Sequence, residues 1–235
     1  MGRGNLNHDN TSEPPSYLWL LNNDTIVHPD SLKEMVFQAQ SNPTIGLLGP
    51  TILYYNTPDK IQTLGGGTIN PILGTSRHVT SNKNSASSFL NFPPHRWGRL
   101  GGGDSSLSYI HGASIFARVD MINKIGLLDE RFFIYWEDTD LSYRAKKSGW
   151  LLTHAPQARI WHKEGGSIGK QSPFADYHHA RSACIFFRKH YGLSWIITLA
   201  IMFCGKLTKR ILRGQFTRIN LLLKALISGI SHPLH

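Results

Sequence analysis

Short apolar runs separated by turn chemistry fill the first two-thirds of the chain, and helical periodicity takes over after them. Tyr17-Leu18-Trp19-Leu20-Leu21 is a continuous apolar run of the kind that forms a buried central strand. Asn22-Asn23-Asp24-Thr25 ends it, and Ile26-Val27 follows. Pro29 with Asp30 or Ser31 opens a helix on which Leu32, Met35, Val36 and Ala39 share one face, closed by Asn42-Pro43. Residues 45–50 and 51–55 predict two strand segments around a Gly-Pro break. Between Asn56 and Ser108 the pattern weakens. Gly65–Gly67, Ser81–Ser88 and Gly101–Gly103 predict loops, with Thr68-Ile69 a short strand among them, and so long an irregular segment is usually functional. Tyr109–Arg118 predicts one strand and residues 119–125 a short helix. A helix carrying Leu141 and Ala145 stops at Gly149. Residues 150–156 and 158–166 predict two strands, the second delivering His162 to a glycine-rich loop. A helix spans about Ala175 to Tyr191, then come the apolar run Leu193–Cys204 and apolar positions from Leu207 to Ile230 at helical spacing.

Composition changes this picture in two places. At 235 residues and 40% hydrophobic, the chain buries one real core with room for an appendage, and 22 glycines and 12 prolines make its loops generous. Cys184 and Cys204 form no CxxC pair and no disulfide framework, as in a reducing compartment. The net charge of +10 is uneven: residues 1–165 carry 15 Lys and Arg against 14 acids, whereas residues 166–235 carry 10 against Asp176 alone. A tail of that sign suits an anionic membrane surface or nucleic acid. Residues 1–16 are polar and hold no apolar signal core.

Three clusters are candidates for chemistry. The first is Phe132–Trp136 running into Glu137, Asp138 and Asp140. Acids suit the first turn of a helix, and Asp140 lies four before Arg144, so a plain helix start explains them. Acids delivered by a run of aromatics equally suit the wall of a pocket as a catalytic carboxylate. The second is Asn22-Asn23-Asp24 at a strand end, which is turn chemistry or, with carboxylate and amide oxygens, a divalent-cation site. The third is His162 in Trp161-His162-Lys163-Glu164-Gly165-Gly166, a strand-end histidine.

In this order, LNNDT, a strand ending in HGA, GLLDERFFIYWEDTDLSYRAKKSGW and WHKEG resemble the family 2, GT-A-fold inverting glycosyltransferases, and within them the bacterial rhamnosyltransferase-like members of surface-polysaccharide synthesis. The resemblance covers roughly residues 17–166. It implies an α/β fold, a GT-A-like (Rossmann-related) mixed sheet with flanking helices. It sets Asn22 and Asp24 in the place of the DxD motif, with Asn22 replacing an Asp, as ligands of Mg²⁺ or Mn²⁺ on the donor diphosphate. His162 matches a histidine that joins that metal site. Asp138 matches the general base, and Trp136 and Glu137 line the acceptor pocket. His111 and Gly112 shape the sugar or acceptor site, or are a structural strand-to-loop turn. The resemblance further implies a nucleotide-sugar donor, dTDP-rhamnose, and an undecaprenyl-diphosphate-linked saccharide acceptor in O-antigen or lipopolysaccharide synthesis.

The same comparison leaves the first β-α-β unit of the family without a counterpart, so residues 1–16 read as an irregular remnant, with Gly2-Arg3-Gly4-Asn5 left of a glycine-rich loop. Residues 17–166 form the catalytic domain and residues 167–235 a helical, basic region. Twelve apolar residues from Leu193 are too few to span a bilayer, whereas the longer basic stretch suits a helix lying in the headgroups on the cytoplasmic face of the inner membrane. An ordinary helical cap is the other reading. An inactive remnant of such an enzyme, or a non-enzymatic membrane- or nucleic-acid-binding protein, are the competing functions. The near-neutral first 165 residues and the lack of a nucleic-acid motif speak against nucleic acid as a partner.

Overall fold

The computed structural model describes residues 16–80, 107–163 and 172–233. The centre of the fold is β3 (Ile45–Tyr54), buried along all but its last residue. Its neighbours in chain order are β1 (Tyr17–Leu21), β2 (Thr25–Val27), α1 (Ser31–Gln40) and β4 (Thr57–Leu64). Next come β5 (Gly66–Asn70), β6 (Thr75–His78), β7 (Tyr109–Ile110), β8 (Ser114–Arg118), α2 (Val119–Ile125), α3 (Glu137–Lys147) and β9 (Leu151–His162). Three helices follow: α4 (Pro173–His190), α5 (Trp195–Leu212) and α6 (Thr217–Ser231). The main sheet is six-stranded and mixed, ordered β1-β8-β3-β9-β2 with β4 on the far half of β3. Among the described residues only β3 and β9 run parallel. A second, three-stranded sheet is ordered β6-β5-β7.

Alternation along β3 builds the layers, since successive side chains leave a strand on opposite faces. Leu47 packs with Leu141 and Ala145 of α3, together with Ile110, Ile115, Met121 and Leu152. Leu48 packs on the other side with Met35 and Ala39 of α1 and with Phe116, Ala155 and Ala158. The sheet is thus covered on both faces, as a strand buried along nearly its whole length requires.

Several expectations are corrected. β1 is an edge strand, half-buried and paired only with β8 among the described residues, rather than a central one. The Gly49-Pro50 break does not divide β3. A register shift between Pro50 and Thr51 absorbs the missing N–H of proline, and Gly65 N donates to Pro50 O at 3.0 Å. β9 is likewise one strand, its Pro156 bulged out between Ala155 and Arg159. The Gly65–Gly67 run is not a loop but the crossing of the two sheets. A Cβ on Gly66 would lie 1.9 Å from Tyr109 O, and one on Gly49 2.1 Å from Gly65 O, so only glycine permits these backbones to meet. The expected strand 109–118 breaks into β7 and β8, which belong to different sheets, because His111-Gly112-Ala113 turns between them. Residues 1–15, the loops predicted at 81–88 and 101–103, and Gly165-Gly166 lie outside the described residues.

Candidate active site

The local structure around the acids begins with two residues in a conformation that side chains disfavour. Tyr135 and Trp136 have φ of 65° and 70°, a left-handed pair that costs about 1–3 kcal/mol each. Packing holds them there. The Trp136 ring is 4% exposed and stacks against Phe186, Phe187 and His179 of α4, while Ser182 Oγ donates to Ile134 O at 2.9 Å. The chain therefore turns sharply, and α3 starts at Glu137 with three acids in its first turn.

Asp138 accepts three hydrogen bonds. Its Oδ2 accepts from Gly112 N at 2.8 Å, and its Oδ1 accepts from Thr139 N at 2.6 Å and Thr139 Oγ1 at 3.1 Å. Burial pushes its pKa up, and these hydrogen bonds to the charged form oppose that rise. A Cβ on Gly112 would sit 3.1 Å from Asp138 Oδ2, a tight approach that glycine relieves. Ser142 secures the same helix from below: its Oγ donates to Asp138 O at 2.7 Å and accepts from Ile110 N at 3.0 Å. Glu137 is less well served. Among the described residues its Oε2 is buried without a hydrogen-bond partner, and burial, then the neighbouring Asp138 carboxylate, push its pKa up to about 7. Trp136 is a core residue whose Nε1 is likewise buried without a partner among the described residues.

Asp140, expected as a partner of Arg144, has that contact and more. Arg144 Nε donates to Oδ2 at 2.7 Å, and Lys189 Nζ and His190 Nε2 of α4 reach Oδ1 at 2.6 Å each. Burial pushes its pKa up, but the hydrogen bonds from His190, Lys189 and Arg144 outweigh it and hold the carboxyl below its ordinary range.

The second half of the site is the turn between β1 and β2 and the end of β9. Thr25 pairs with His162 across the strands, and Lys163 N donates to Asp24 O at 3.0 Å. This brings Asp24 Oδ1 within 3.3 Å of His162 Nε2. Among the described residues that oxygen is buried and makes no hydrogen bond, while His162 Nδ1 meets Gln62 Oε1 at 3.1 Å. In the tautomer that gives Nδ1–H to Gln62, the Nε2 lone pair of His162 faces Asp24, an N/O donor pair of the kind a divalent cation takes. Among the described residues no group of three His, Cys, Asp or Glu side chains gathers for a metal, so further ligands would come from the substrate or from other groups. Asn22 is exposed, and its backbone holds the turn: its N donates to Ala113 O at 3.1 Å and its O accepts from Thr25 Oγ1 at 2.7 Å.

The His111–Ala113 turn joins the two halves. The His111 ring lies 4.9 Å from that of His78 and 5.9 Å from that of His162. Ala113 N donates to its Nδ1 at 3.0 Å, so the neutral ring carries its proton on Nε2. Burial, then His78 and His162, push its pKa down to about 3, and it is neutral at working pH. Gln62, His78, Thr139 and Ser142 were not singled out from sequence. The only signal was indirect, as each is a polar residue beside an apolar run on an element that the pattern left weak or mixed.

A family model described as glycosyl transferase family group 2 matches residues 17–177. The chain belongs to that glycosyltransferase family. It is 26% identical over 205 residues to the N-acetylglucosaminyl-diphospho-decaprenol L-rhamnosyltransferase of Mycobacterium tuberculosis, covering 82% of this chain and 62% of that protein. It is 28% identical over 173 residues to the O-antigen biosynthesis protein RfbC of Myxococcus xanthus, covering 68% of this chain and 12% of that one. The chain thus spans only part of the curated relatives it matches. A solved structure of GalNAc-T7 with UDP, GalNAc and Mn²⁺ aligns with a TM-score of 0.47 at 16% identity, over 77% of this chain and 36% of that one. In the glycosyltransferase family chain described here, the matched segment contains both halves of the site.

Two outcomes follow from this geometry. Gly112→Ala crowds Asp138 Oδ2 and weakens its hydrogen bond, lowering the urea-unfolding stability by about 1 kcal/mol; unchanged stability contradicts the tight fit. For Glu137, a folded pKa raised from 4.5 to about 7 means that the folded protein binds the extra proton, so this group's contribution to stability falls as pH rises through that window. Urea unfolding of Glu137→Gln therefore gains on the wild type between pH 4.5 and 7 and holds a constant gap above. Taking the difference removes the opposite trend of His111, whose neutral form loses stability as pH falls below its ordinary 6.5.

Proposed function

We propose that this chain carries the catalytic part of a GT-A-like inverting glycosyltransferase, which moves a sugar from a nucleotide donor to a hydroxyl of a lipid-linked saccharide. The observation that carries this reading is the His111–Ala113 turn, which holds Asp138 through Gly112 N and lies against His162 beside Asp24. Asp138 takes the proton of the acceptor hydroxyl as its oxygen attacks the anomeric carbon and the bond to the diphosphate breaks on the opposite face. The proton ends on the Asp138 carboxylate and the electron pair leaves with the nucleotide diphosphate. Asp24 and His162, with Asn22 on the same turn, would hold Mg²⁺ or Mn²⁺, and such an ion supplies neutralisation of the leaving diphosphate's charge. Glu137, Trp136 and His111 border the acceptor and sugar.

Rhamnose from dTDP-rhamnose is the donor we favour, and an undecaprenyl-diphosphate-linked saccharide the acceptor, because the M. tuberculosis relative is named for rhamnosyl transfer to a decaprenol-linked sugar and the M. xanthus one for O-antigen synthesis. A lipid-linked acceptor places the enzyme at the cytoplasmic face of the bacterial inner membrane, with residues 167–235 as the region that meets it. None of the described helices is long and apolar enough to cross a membrane.

The test is transfer from radiolabelled sugar nucleotides to a lipid-linked saccharide, with nucleotide binding followed by calorimetry. Asp138→Asn lowers kcat by roughly 1,000-fold and leaves donor binding intact, whereas Asp24→Ala weakens Mn²⁺-dependent donor binding. Full activity of Asp138→Asn overturns the base assignment.

A further inference from the structure

Helix α5 carries apolar residues on both sides and turns part of its charge inward. Thr198, Leu199 and Met202 face the protein, Lys206 is half-buried, and Arg210 Nη2 donates to Asp176 Oδ2 of α4 at 2.6 Å. The opposite arc faces outward through positions 196, 197, 200, 201, 204, 205, 207 and 208, and none of these is charged. Ile197 is 64% exposed. A surface helix in water shows the reverse arrangement, with apolar residues toward the core and charges toward solvent.

A second element, far away in sequence, packs against the same helix and also exposes apolar residues. The turn between β5 and β6 holds out Ile72, 65% exposed, and Leu73, 48% exposed. It is a fixed turn. Asn70 Oδ1 accepts from Ile72 N at 3.0 Å and Leu73 N at 2.9 Å. It is also fastened to α5, because Thr198 Oγ1 donates to Pro71 O at 2.7 Å and a Cβ on Gly74 would lie 3.0 Å from Met202 Cβ. Isolated exposed apolar residues are ordinary, but two distant elements that join their exposed apolar residues into one surface mark an interaction site.

We infer that this composite face, the outward arc of α5 together with the β5–β6 turn, is the surface that seats in an anionic lipid bilayer; the inference rests on the membrane association proposed above and names the residues that make it. Charge selects the occupant. Lys209 and Arg213 are exposed beyond the end of the arc and Lys224 is exposed on α6, in a region with 10 basic residues against one acid from 166 onward. Anionic headgroups complement that rim, each nearby Lys or Arg contributing about 1 kcal/mol. A second copy of the chain would bring two such rims together.

Flotation with vesicles of phosphatidylethanolamine and phosphatidylglycerol, against vesicles of phosphatidylcholine alone, tests this with the full chain. Two double variants are compared with the wild type, Ile72→Asp with Leu73→Asp, and Ile197→Asp with Ile201→Asp, each at exposed positions and checked by circular dichroism. The expected result is flotation of the wild type on the anionic vesicles and a loss of roughly tenfold or more in partitioning for each variant. If the wild type floats and either variant floats equally well, the membrane reading stands and this surface is wrong. If the wild type does not float, both fall. A wild type that stays with the soluble fraction as a dimer, and that Ile197→Asp with Ile201→Asp makes monomeric, identifies a second copy as the occupant and overturns the inference.

Discussion

The hydrogen bond from Gly112 N to Asp138 Oδ2 is the contact on which the geometry of this site turns. It requires that β7 and β8 break apart and that α3 start close enough to meet the break, where Gly112 leaves the carboxylate room. The same three-residue turn receives Asn22 N at Ala113 O and sets the His111 ring against His162. A shift of that turn would therefore move the carboxylate, the β1–β2 turn and the strand-end histidine together. Preorganisation of this sort is where much of an enzyme's rate enhancement resides, because the groups need not be gathered at the moment of reaction.

The helix that carries Asp138 is held by charge as well as packing. Asp140 is fully buried and meets Arg144 together with Lys189 and His190 of α4, while Asp129 shares Lys189 with it and binds Arg131. A buried cluster of this kind adds little net stability over an apolar one of the same shape, but removing one partner leaves uncompensated charge. Its effect here is directional: it fixes α3 against α4, as does the Trp136 ring between Phe186 and Phe187. Tyr135 and Trp136 keep a left-handed backbone because this packing over-determines it. The family match ends at residue 177, within α4, yet the residues of α4 that hold α3 in place lie beyond that point, at 182–190.

What the sequence made legible follows from which forces are local. The buried run of β3, the amphipathic face of α1, the acidic start of α3 and the Asp140–Arg144 spacing all express periodicity or near neighbours, and each can be read from a few adjacent residues. The rest depends on distant parts of the chain. β4 begins with exposed Thr57-Pro58-Asp59-Lys60 and gave no strand signal, so Gln62, the partner of His162, went unnoticed. The HGA turn was hidden because Tyr109–Arg118 is apolar on both sides of it, and only the sheet switch shows that the chain bends there. In α5 the basic residues suggested a helix lying in lipid headgroups or an ordinary cap, and the pattern did not show that Arg210 turns inward to the lone acid of the tail, Asp176.

The central claim is that a single carboxylate, Asp138, deprotonates the acceptor for direct in-line displacement, with no covalent sugar–enzyme intermediate. The anomeric configuration of the new glycosidic linkage tests it most directly, read by NMR from the one-bond C1–H1 coupling of the transferred sugar against that of its nucleotide donor. The account predicts the opposite configuration to the donor's in the first-formed product. Retention of the donor configuration would contradict it, since a second nucleophile would then have to act first.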